Sequence, residues 1–274
     1  HRIIRRRTDE IMRKDMIETI SKIARECGAV MLSAHSGTIE SETKSGFRDL
    51  VTEFDKKIQK YAVERLSAAY PGAHFICEEG DSSHESADGL TFIIDPIDGT
   101  ANFTHHYGHS CISIACTRGG TPECAAIYDP FRDELFTAQK GRGALLNDEP
   151  IHIAEGELSE SLVLFGTSPY NMELVDETLN KLRSIYGCCQ DIRRSGSAAL
   201  DLCYVAAGRA GLFFELELSL WDYAAGALIV EEAGGICLTT DGKSLQYTRP
   251  VKSPVIAGSS ARIWESGLCS KSSC

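Results

Sequence analysis

The sequence lacks any run of apolar residues long enough to cross a bilayer, and no apolar segment follows its basic first residues. A membrane-spanning helix needs about 20 consecutive, mostly apolar residues, and a secretion signal has an apolar core behind its basic start. The sequence therefore predicts that the protein has no membrane partner, and we expect it in the cytoplasm.

Cysteine pairs of the C-x-x-C type are also missing, although the sequence contains eleven cysteines. Such pairs are typical of zinc sites and of redox motifs. Five of the cysteines lie within strongly apolar segments: Cys77, Cys111, Cys116, Cys203 and Cys237. In a chain of 274 residues without a secretion signal, they indicate reduced thiols in the core rather than a disulfide framework or a zinc site.

Positive charge is scarce, because 28 Lys and Arg residues stand against 39 Asp and Glu residues and the formal net charge is -11. An acidic surface repels the phosphates of DNA and RNA. The one dense basic run, residues 5–7, lies close to the first residue and is typical of a solvated tail. The composition therefore argues against a nucleic-acid partner.

Internal repeats and Pro- or Ser-rich linkers are absent as well, and 43% of the residues are hydrophobic. This is the composition of an ordinary globular protein, and the length suffices for one large domain. We expect a single domain over residues 1–274, in which residues 1–153 and 154–274 form two tightly joined halves.

The spacing of apolar residues predicts different elements in the two halves. In the first half it predicts two amphipathic helices, over about 8–34 and up to about residue 70, separated by a polar loop over 40–49. Short apolar runs cut by turns then predict a largely antiparallel sheet up to about residue 153. In the second half helices and strands alternate, which favours a layered α/β architecture.

The most informative segment joins an apolar strand to two acids. Residues 92–94 are followed by Asp95-Pro96-Ile97-Asp98-Gly99-Thr100. Carboxylates at the end of a buried strand are costly to desolvate unless they are paired or bind a metal ion. Gly99 permits close backbone approach, and Thr100 can open a helix whose free N–H groups would hold a phosphate. Taken alone, the segment also fits a strand-ending turn with Thr100 as an N-cap.

Two further acidic groups follow the same pattern. Glu78 and Glu79 come directly after the apolar residues 75–77, and Asp222 follows Trp221 at the start of a long apolar helix. Each group has a simpler interpretation by itself. The two glutamates also fit a solvated loop, and Asp222 also fits a helix N-terminus that the helix dipole stabilises.

In their order along the chain, these elements resemble the inositol monophosphatase family. The order is Asp55, Glu78-Glu79, Asp-Pro-Ile-Asp-Gly-Thr at 95–100 and Trp-Asp-x-x-Ala-Gly at 221–226. The resemblance extends from Lys44 to about Ala257 and is shared with the wider superfamily of lithium-sensitive, magnesium-dependent phosphatases. It implies the layered α/β sandwich of the inositol monophosphatase and fructose-1,6-bisphosphatase superfamily, and a homodimer.

The resemblance also implies an activity. We expect hydrolysis of a phosphate ester, an inositol monophosphate first of all, by a metal-activated water with two or three Mg²⁺ ions and with inhibition by lithium. Fructose 1,6-bisphosphate, adenosine 3′,5′-bisphosphate and histidinol phosphate remain alternative substrates, because enzymes that act on them share the metal motifs. A regulatory role through binding to another protein also remains open.

The same resemblance implies roles for individual residues. The implied metal ligands are four carboxylates and one backbone carbonyl: Glu78, Asp95, Asp98, Asp222 and Ile97. Asp55 and Thr100 match the pair that helps Glu78 to activate the attacking water, and Asp98 belongs to the same catalytic group. The implied substrate contacts are Lys44, Gly99, Thr100, Ser197, Ala198, Glu215 and Asp222.

Several of these positions have local alternatives. The segment 52–55, Thr-Glu-Phe-Asp, fits a capping box at the start of a helix. Lys44 fits an exposed loop lysine, and Glu215 fits a strand-edge carboxylate that faces water. Three histidines after Thr100 lack the spacing of a zinc motif, and we interpret them as cavity-rim or solvated residues: His105, His106 and His109.

Overall fold

The computed structural model describes residues 2–35, 37, 39–43, 50–80 and 89–269, with the backbone alone for residues 2–14, 50 and 51. The helices in this part of the chain are α1 (Arg2–Ala34), α2 (Glu53–Ala69), α3 (Thr100–Thr104), α4 (Val175–Tyr186), α5 (Ala198–Ala206), α6 (Leu220–Glu232) and α7 (Ser260–Glu265). Short 3₁₀ turns lie at Leu158–Glu160 and Met172–Leu174. Of the described helices, none combines the length and the apolar character that a bilayer crossing requires.

The larger sheet contains seven strands that follow one another in sequence order. They are β3 (His74–Cys77), β4 (Leu90–Asp98), β5 (Cys111–Arg118), β6 (Thr121–Asp129), β7 (Glu134–Gln139), β8 (Ala144–Leu146) and β9 (Glu149–Ile151). The predicted antiparallel pairing is confirmed from β4 to β9. The exception is the parallel pair β3–β4, which brings the carboxyl ends of both strands to one edge of the sheet.

The second sheet contains five strands in the order β11-β10-β12-β14-β13. They are β10 (Leu162–Phe165), β11 (Asp191–Arg193), β12 (Leu212–Leu218), β13 (Ile236–Leu238) and β14 (Ser253–Gly258). β10 pairs in parallel with β11 and β12, whereas β14 pairs antiparallel with β12 and β13. The predicted strands do not include β9 or β10.

The first half also contains a small two-stranded sheet. β1 (Ser41–Thr43) pairs antiparallel with β2 (Leu50–Thr52). The predicted polar loop over 40–49 is therefore wrong for residues 41–43. These residues are polar and exposed, and their strand conformation comes from backbone pairing with β2 rather than from burial.

Side-chain alternation along the strands produces the layers. On β4, Phe92 and Ile94 pack with α1 and α2, whereas Ile93 packs on the opposite face with α5 and α6. α5 and α6 are buried along most of their length and fill the space between the two sheets. Leu182 of α4 and Ile263 of α7 pack on the outer face of the second sheet. The predicted layered α/β sandwich is therefore confirmed.

The cysteines agree with the expectation of a core without disulfides. The ten cysteines that the structure describes form no disulfide, and eight of them are buried. The exceptions are Cys188, which is exposed, and Cys189, which is partly buried. The five cysteines in apolar segments are thus core residues, as the sequence predicts.

Candidate active site

Four carboxylates converge at the carboxyl end of β4. Asp95 and Asp98 lie at the end of this strand and are 2% and 8% exposed. Asp222 lies in the first turn of α6, and one oxygen from each of these three acids lies within 4.8 Å of the others. Glu78 directly follows the parallel strand β3 and hydrogen-bonds with Asp95. The structure therefore brings together the four acids that the resemblance implies as metal ligands.

A β-bulge explains how Asp95 and Asp98 reach the same site. Residues three positions apart on a regular strand point to opposite faces of the sheet. Here Asp95 pairs with Ser113 and Asp98 pairs with Cys111, so three steps along β4 match two steps along β5. The additional residue bends the strand and redirects its side chains. Both acids consequently line one cavity.

The carboxylates disfavour one another's ionisation. Burial raises the pKa of Asp95 well above its ordinary value, and the charges of Glu78, Asp98 and Asp222 raise it further. Burial and the charges of Asp98 and Glu78 likewise raise the pKa of Asp222. Buried carboxylates at this spacing are unfavourable without a compensating cation, and a set of oxygen ligands suits Mg²⁺. The residues present therefore fit a divalent metal ion.

Asp98 is held by the N-terminus of α5, which belongs to the other half of the chain. Its Oδ2 accepts hydrogen bonds from Ser197 Oγ and, at 2.8 Å, from the backbone N–H of Ala199. Burial raises the pKa of Asp98, although these two bonds partly offset the effect. Ser197 is also the N-cap of α5 and accepts from the N–H of Leu200. The Ser197 hydroxyl, which the resemblance assigns to substrate, thus contacts a candidate metal ligand.

Asp222 combines its two possible interpretations. It occupies the third position of α6 in a capping box with Ser219, whose backbone N–H donates to Asp222 Oδ2 at 2.7 Å. This bond fixes the direction of the carboxylate. The acid therefore stabilises the start of the helix and also belongs to the carboxylate cluster.

Asp55 combines its two interpretations in the same way. It closes a capping box at the start of α2, where the backbone N–H of Thr52 donates to Asp55 Oδ2 at 2.7 Å. Its Oδ1 accepts from Thr100 Oγ1 at 3.3 Å, and Thr100 Oγ1 is also 3.1 Å from the carbonyl oxygen of Ile97. Since Asp55 is fully buried, this pair is rigidly placed next to the acid cluster.

The backbone conformation and the close packing at position 99 require glycine. Its φ of 88° is in the left-handed region, where residues with a Cβ are strained. An added Cβ would also lie 3.1 Å from the carbonyl oxygen of His109 and 3.2 Å from that of Gly196. Glycine at this position therefore permits the tight turn into α3, where Gly99 and Thr100 both line the cavity.

The carboxylate cluster lines one side of a cavity of about 620 Å³. This volume is within the range of small-molecule sites, about 300–1,000 Å³. The remaining lining comes mainly from the segment after β10, the start of α5, β12 and the start of α6. It includes Gly166, Tyr170, Arg194, Ser197, Ala198, Asp201, Glu215 and Trp221.

Glu215 is buried on the side of the cavity formed by β12, so the interpretation as a water-facing edge residue is wrong. It is 6% exposed, and its Oε1 accepts from the backbone N–H of Ser168 at 2.7 Å. A Cβ at Gly166 would lie 1.7 Å from Glu215 Oε2, so only glycine leaves room for this carboxylate. Burial raises the pKa of Glu215 to about 7, against the Ser168 hydrogen bond and the charge of Arg194.

The cavity collects nearly all residues that the resemblance selects. Ten of them line it directly: Glu78, Asp95, Ile97, Asp98, Gly99, Thr100, Ser197, Ala198, Glu215 and Asp222. Asp55 is connected through Thr100. Lys44 lies outside the described residues.

Other lining residues do not follow from the sequence reasoning. Asp201 had a usable signal, because it is an acid within an otherwise apolar helix. Arg194 and Gly166 had none, since their positions depend on contacts with distant residues. His105 lines the cavity and His106 is exposed. The interpretation of the three histidines as cavity-rim or solvated residues is wrong for His109, which is only 6% exposed. Burial lowers the pKa of His109 to about 4.

Comparison with known proteins identifies the family. The model described as the inositol monophosphatase family matches residues 12–274. A protein of Pseudomonas aeruginosa named Nus factor SuhB is 41% identical over 228 residues, which cover 81% of this chain and 84% of that protein. A similarly named protein of Xylella fastidiosa is 37% identical over 90% of this chain and 91% of its own length.

Two solved structures show the same fold. The extragenic suppressor protein suhB of Bartonella henselae has a TM-score of 0.84 at 33% identity and covers 93% of this chain and 98% of its own. An IMPase of Thermotoga maritima has a TM-score of 0.82 at 32% identity, with coverages of 93% and 95%. The motifs at 95–100 and 221–226 lie within the residues that the family model matches, and the fold agrees with that of the two solved structures. This chain therefore belongs to the inositol monophosphatase family.

Proposed function

We propose that this chain is a magnesium-dependent phosphomonoesterase that hydrolyses inositol monophosphate. This proposal rests on the cluster in which oxygens of the buried Asp95 and Asp98 and of the half-buried Asp222 lie within 4.8 Å of one another. Membership of the family supports the reaction class. Esters of fructose, nucleotides or histidinol remain alternative substrates, because the metal ions that the carboxylates would hold can bind the phosphate group that all these esters share.

The metal would be held by side chains from both halves of the chain. The proposed ligands of two or three Mg²⁺ ions are Glu78, Asp95, the carbonyl of Ile97, Asp98 and Asp222. Bound Mg²⁺ supplies positive charge at the phosphate and promotes the ionisation of water. Ser197, Ala199 and Ser219 keep two of these carboxylates oriented by hydrogen bonds.

The attacking water is assigned to Glu78 and to the pair of Thr100 and Asp55. The Thr100 hydroxyl lies 3.3 Å from Asp55 Oδ1, so it can receive a hydrogen bond from water while it donates to the carboxylate. A carboxylate held in this way orients the water and accepts its proton during attack on phosphorus. Asp98 completes the catalytic group as the acid that α5 fixes in place.

The ester is assigned to two surfaces of the cavity. The backbone N–H groups of Gly99 and Thr100 are the proposed donors to the phosphate, since both residues line the cavity at the turn into α3. The alcohol is assigned to Ser197, Ala198 and Glu215, with Asp222 between the metal and the alcohol. Lys44 is the proposed cation from the segment outside the described residues.

The test is phosphate release from a panel of esters with Mg²⁺ and with EDTA. We expect release that depends on magnesium and is fastest with myo-inositol 1-phosphate. Asp98→Asn should abolish it, whereas Asp176→Asn, an exposed acid in the first turn of α4, should retain it. Preference for a bisphosphate would change the substrate and keep the reaction. Absence of release from every ester would contradict the proposal.

A regulatory role through protein binding is a second candidate. The relatives in Pseudomonas aeruginosa and Xylella fastidiosa are named Nus factors. The net charge of -11 favours a protein partner over direct contact with nucleic acid. Asp98→Asn separates the two functions in cells that lack the chain, because a binding role survives this change and a phosphatase role does not.

We also propose that the chain acts in the cytoplasm as a homodimer of single-domain subunits. The hydrogen bonds from α5 to Asp98 join residues 1–153 to residues 154–274 at the site itself. Unfolding should therefore show one transition for both halves. Light scattering should give twice the mass of one chain. Two separate unfolding transitions would contradict the single domain, and the mass of one chain would contradict the homodimer.

A further inference from the structure

Gln59 of α2 holds the backbone of the residue that follows Glu78, although no role above is assigned to it. Its Oε1 accepts a hydrogen bond from the backbone N–H of Glu79 at 2.8 Å, and its Nε2 donates to the carbonyl oxygen of the same residue. These partners fix the orientation of the amide, because a backbone N–H can only donate and a carbonyl can only accept. One side chain thus pairs with both backbone groups of Glu79.

The backbone of Glu78 is consequently fixed on both sides. Its own N–H donates to the carbonyl oxygen of Ile94 at 3.2 Å, which extends the pairing of β3 with β4 by one residue. On the other side, Gln59 holds Glu79. A side chain on a fixed backbone keeps its direction. Here that side chain is the half-buried carboxylate that hydrogen-bonds with Asp95.

The hydrophobic core makes α2 a rigid support for this contact. Ile58, Ala62 and Leu66 are fully buried and pack in the core that α1 and β4 share. Protein interiors are close-packed and transmit positions with little slack. Gln59 follows Ile58 directly, so its place relative to β4, which carries Asp95, is set by the core.

The same helix also holds the second group assigned to the attacking water. Asp55 precedes Gln59 by four residues, which places both side chains on one face of α2. Asp55 Oδ1 accepts from Thr100 Oγ1 at 3.3 Å. One face of α2 therefore contacts both the segment after β3 and the start of α3, so Glu78 and Thr100 are positioned by a single helix.

An amide that only stabilises the fold is found at the opposite edge of the seven-stranded sheet, between β8 and β9. Asn147 Oδ1 accepts from the N–H of Leu135 at 2.9 Å, and its Nδ2 donates to the carbonyl oxygen of Asp133 at 2.8 Å. Neither of these partners is among the residues that line the cavity. The amide of Gln59 makes the same pair of bonds, but next to a proposed metal ligand.

We propose that Gln59 is a positioning residue for the metal site. By holding the backbone of Glu79, it directs the Glu78 carboxylate toward Asp95 and toward the Mg²⁺ that both acids would bind. The inference rests on the proposed function, because Glu78 is one of the ligands assigned there. Groups that orient metal ligands typically change metal affinity by about 10- to 100-fold.

Calorimetric titration with Mg²⁺ alone tests this positioning without turnover. Gln59→Met keeps the length of the side chain and removes both hydrogen bonds, so the Mg²⁺ dissociation constant should rise about tenfold. Asn147→Leu is the matched control, because it removes the corresponding two bonds at the far edge of the sheet, and it should leave the constant unchanged. Urea unfolding in EDTA verifies that both variants are folded. An unchanged constant in Gln59→Met, or an equal rise in both variants, would overturn the proposal.

A double variant shows whether the effect passes through Glu78. Glu78→Gln should weaken Mg²⁺ binding by itself, and Gln59→Met should then add less than about a twofold change. A further tenfold rise in the double variant would overturn the proposal. Gln59→Asn replaces the methionine variant if that variant folds poorly. Its shorter side chain cannot keep both bonds, so the constant should rise by a smaller factor, and an unchanged constant would overturn the proposal as well.

Phosphate release separates this inference from the proposed function. If the wild type releases phosphate and Gln59→Met binds Mg²⁺ as tightly as the wild type, the inference fails and the proposed function stands. If the wild type releases none but binds Mg²⁺, and Gln59→Met binds it more weakly, the proposed function fails and the inference holds. A wild type that binds no Mg²⁺ would overturn the inference.

Discussion

Replacement of Glu215 by Gln should stabilise the metal-free protein in mildly alkaline solution and change little in weak acid. Burial raises the pKa of Glu215 from 4.5 to about 7, against the effects of Ser168 and Arg194. An acid with a higher pKa in the folded than in the unfolded state binds its proton more tightly when folded. Its stabilising contribution is therefore complete below pH 4.5 and is lost as the pH rises through about 7.

The two pKa values give the magnitude. At about 1.4 kcal/mol for each pH unit, a rise from 4.5 to about 7 makes the wild type about 3 kcal/mol less stable at pH 8 than in acid. Gln has the same shape and can accept the Ser168 hydrogen bond, but it does not ionise. The variant should therefore exceed the wild type by about 3 kcal/mol at pH 8 and by about 1 kcal/mol at pH 5.

Urea unfolding between pH 5 and pH 8 in EDTA measures this difference. The control is Glu217→Gln, two residues along β12. Burial raises the pKa of Glu217, but hydrogen bonds from Lys252 and Asn171 outweigh this and lower it. Ionised Glu217 therefore stabilises the folded protein above its ordinary pKa, and this stabilisation is lost in acid. The Glu217→Gln control should accordingly be less stable than the wild type at pH 8. A Glu215→Gln curve parallel to that of the wild type over this range would refute the reasoning.

Three further substitutions test the site. Thr100→Ala should lower kcat about 100-fold, because it removes the proposed water contact, and Thr104→Ala on the same helix should leave kcat unchanged. Ser197→Ala should raise the Mg²⁺ concentration needed for half-maximal rate and should cost about 1 kcal/mol in urea unfolding through the lost N-cap. Gly166→Ala should raise KM for myo-inositol 1-phosphate, because the added Cβ overlaps Glu215 Oε2. An unchanged kcat in Thr100→Ala would contradict the water contact, and an unchanged Mg²⁺ requirement in Ser197→Ala would contradict the positioning of Asp98. An unchanged KM in Gly166→Ala would contradict the role of Glu215.

The sequence predicts those parts of the fold and the site that are encoded locally. The apolar residues before Asp95 indicate a buried strand by themselves, and the capping box at Asp55 is contained in four residues. The family resemblance works for the same reason, since its motifs are short and contiguous. The helices and the layered architecture follow from apolar periodicity.

The remaining features depend on contacts between distant residues. The bulge that turns Asp98 toward Asp95 arises from the register with β5. The space for Glu215 depends on Gly166, which is distant in sequence and gives no local signal. The parallel pairing of strand β10 with β11 and β12 joins segments that are distant in sequence. Such features require the folded chain.

We propose above that the acids at the end of β4 bind Mg²⁺ for the hydrolysis of a phosphate ester. The most direct test is phosphate release from myo-inositol 1-phosphate as Mg²⁺ is added to EDTA-treated protein, for the wild type and Asp95→Asn. We expect a saturable rise in rate for the wild type and none for the variant. An equal rate in both proteins, or a wild-type rate that EDTA does not affect, would contradict it.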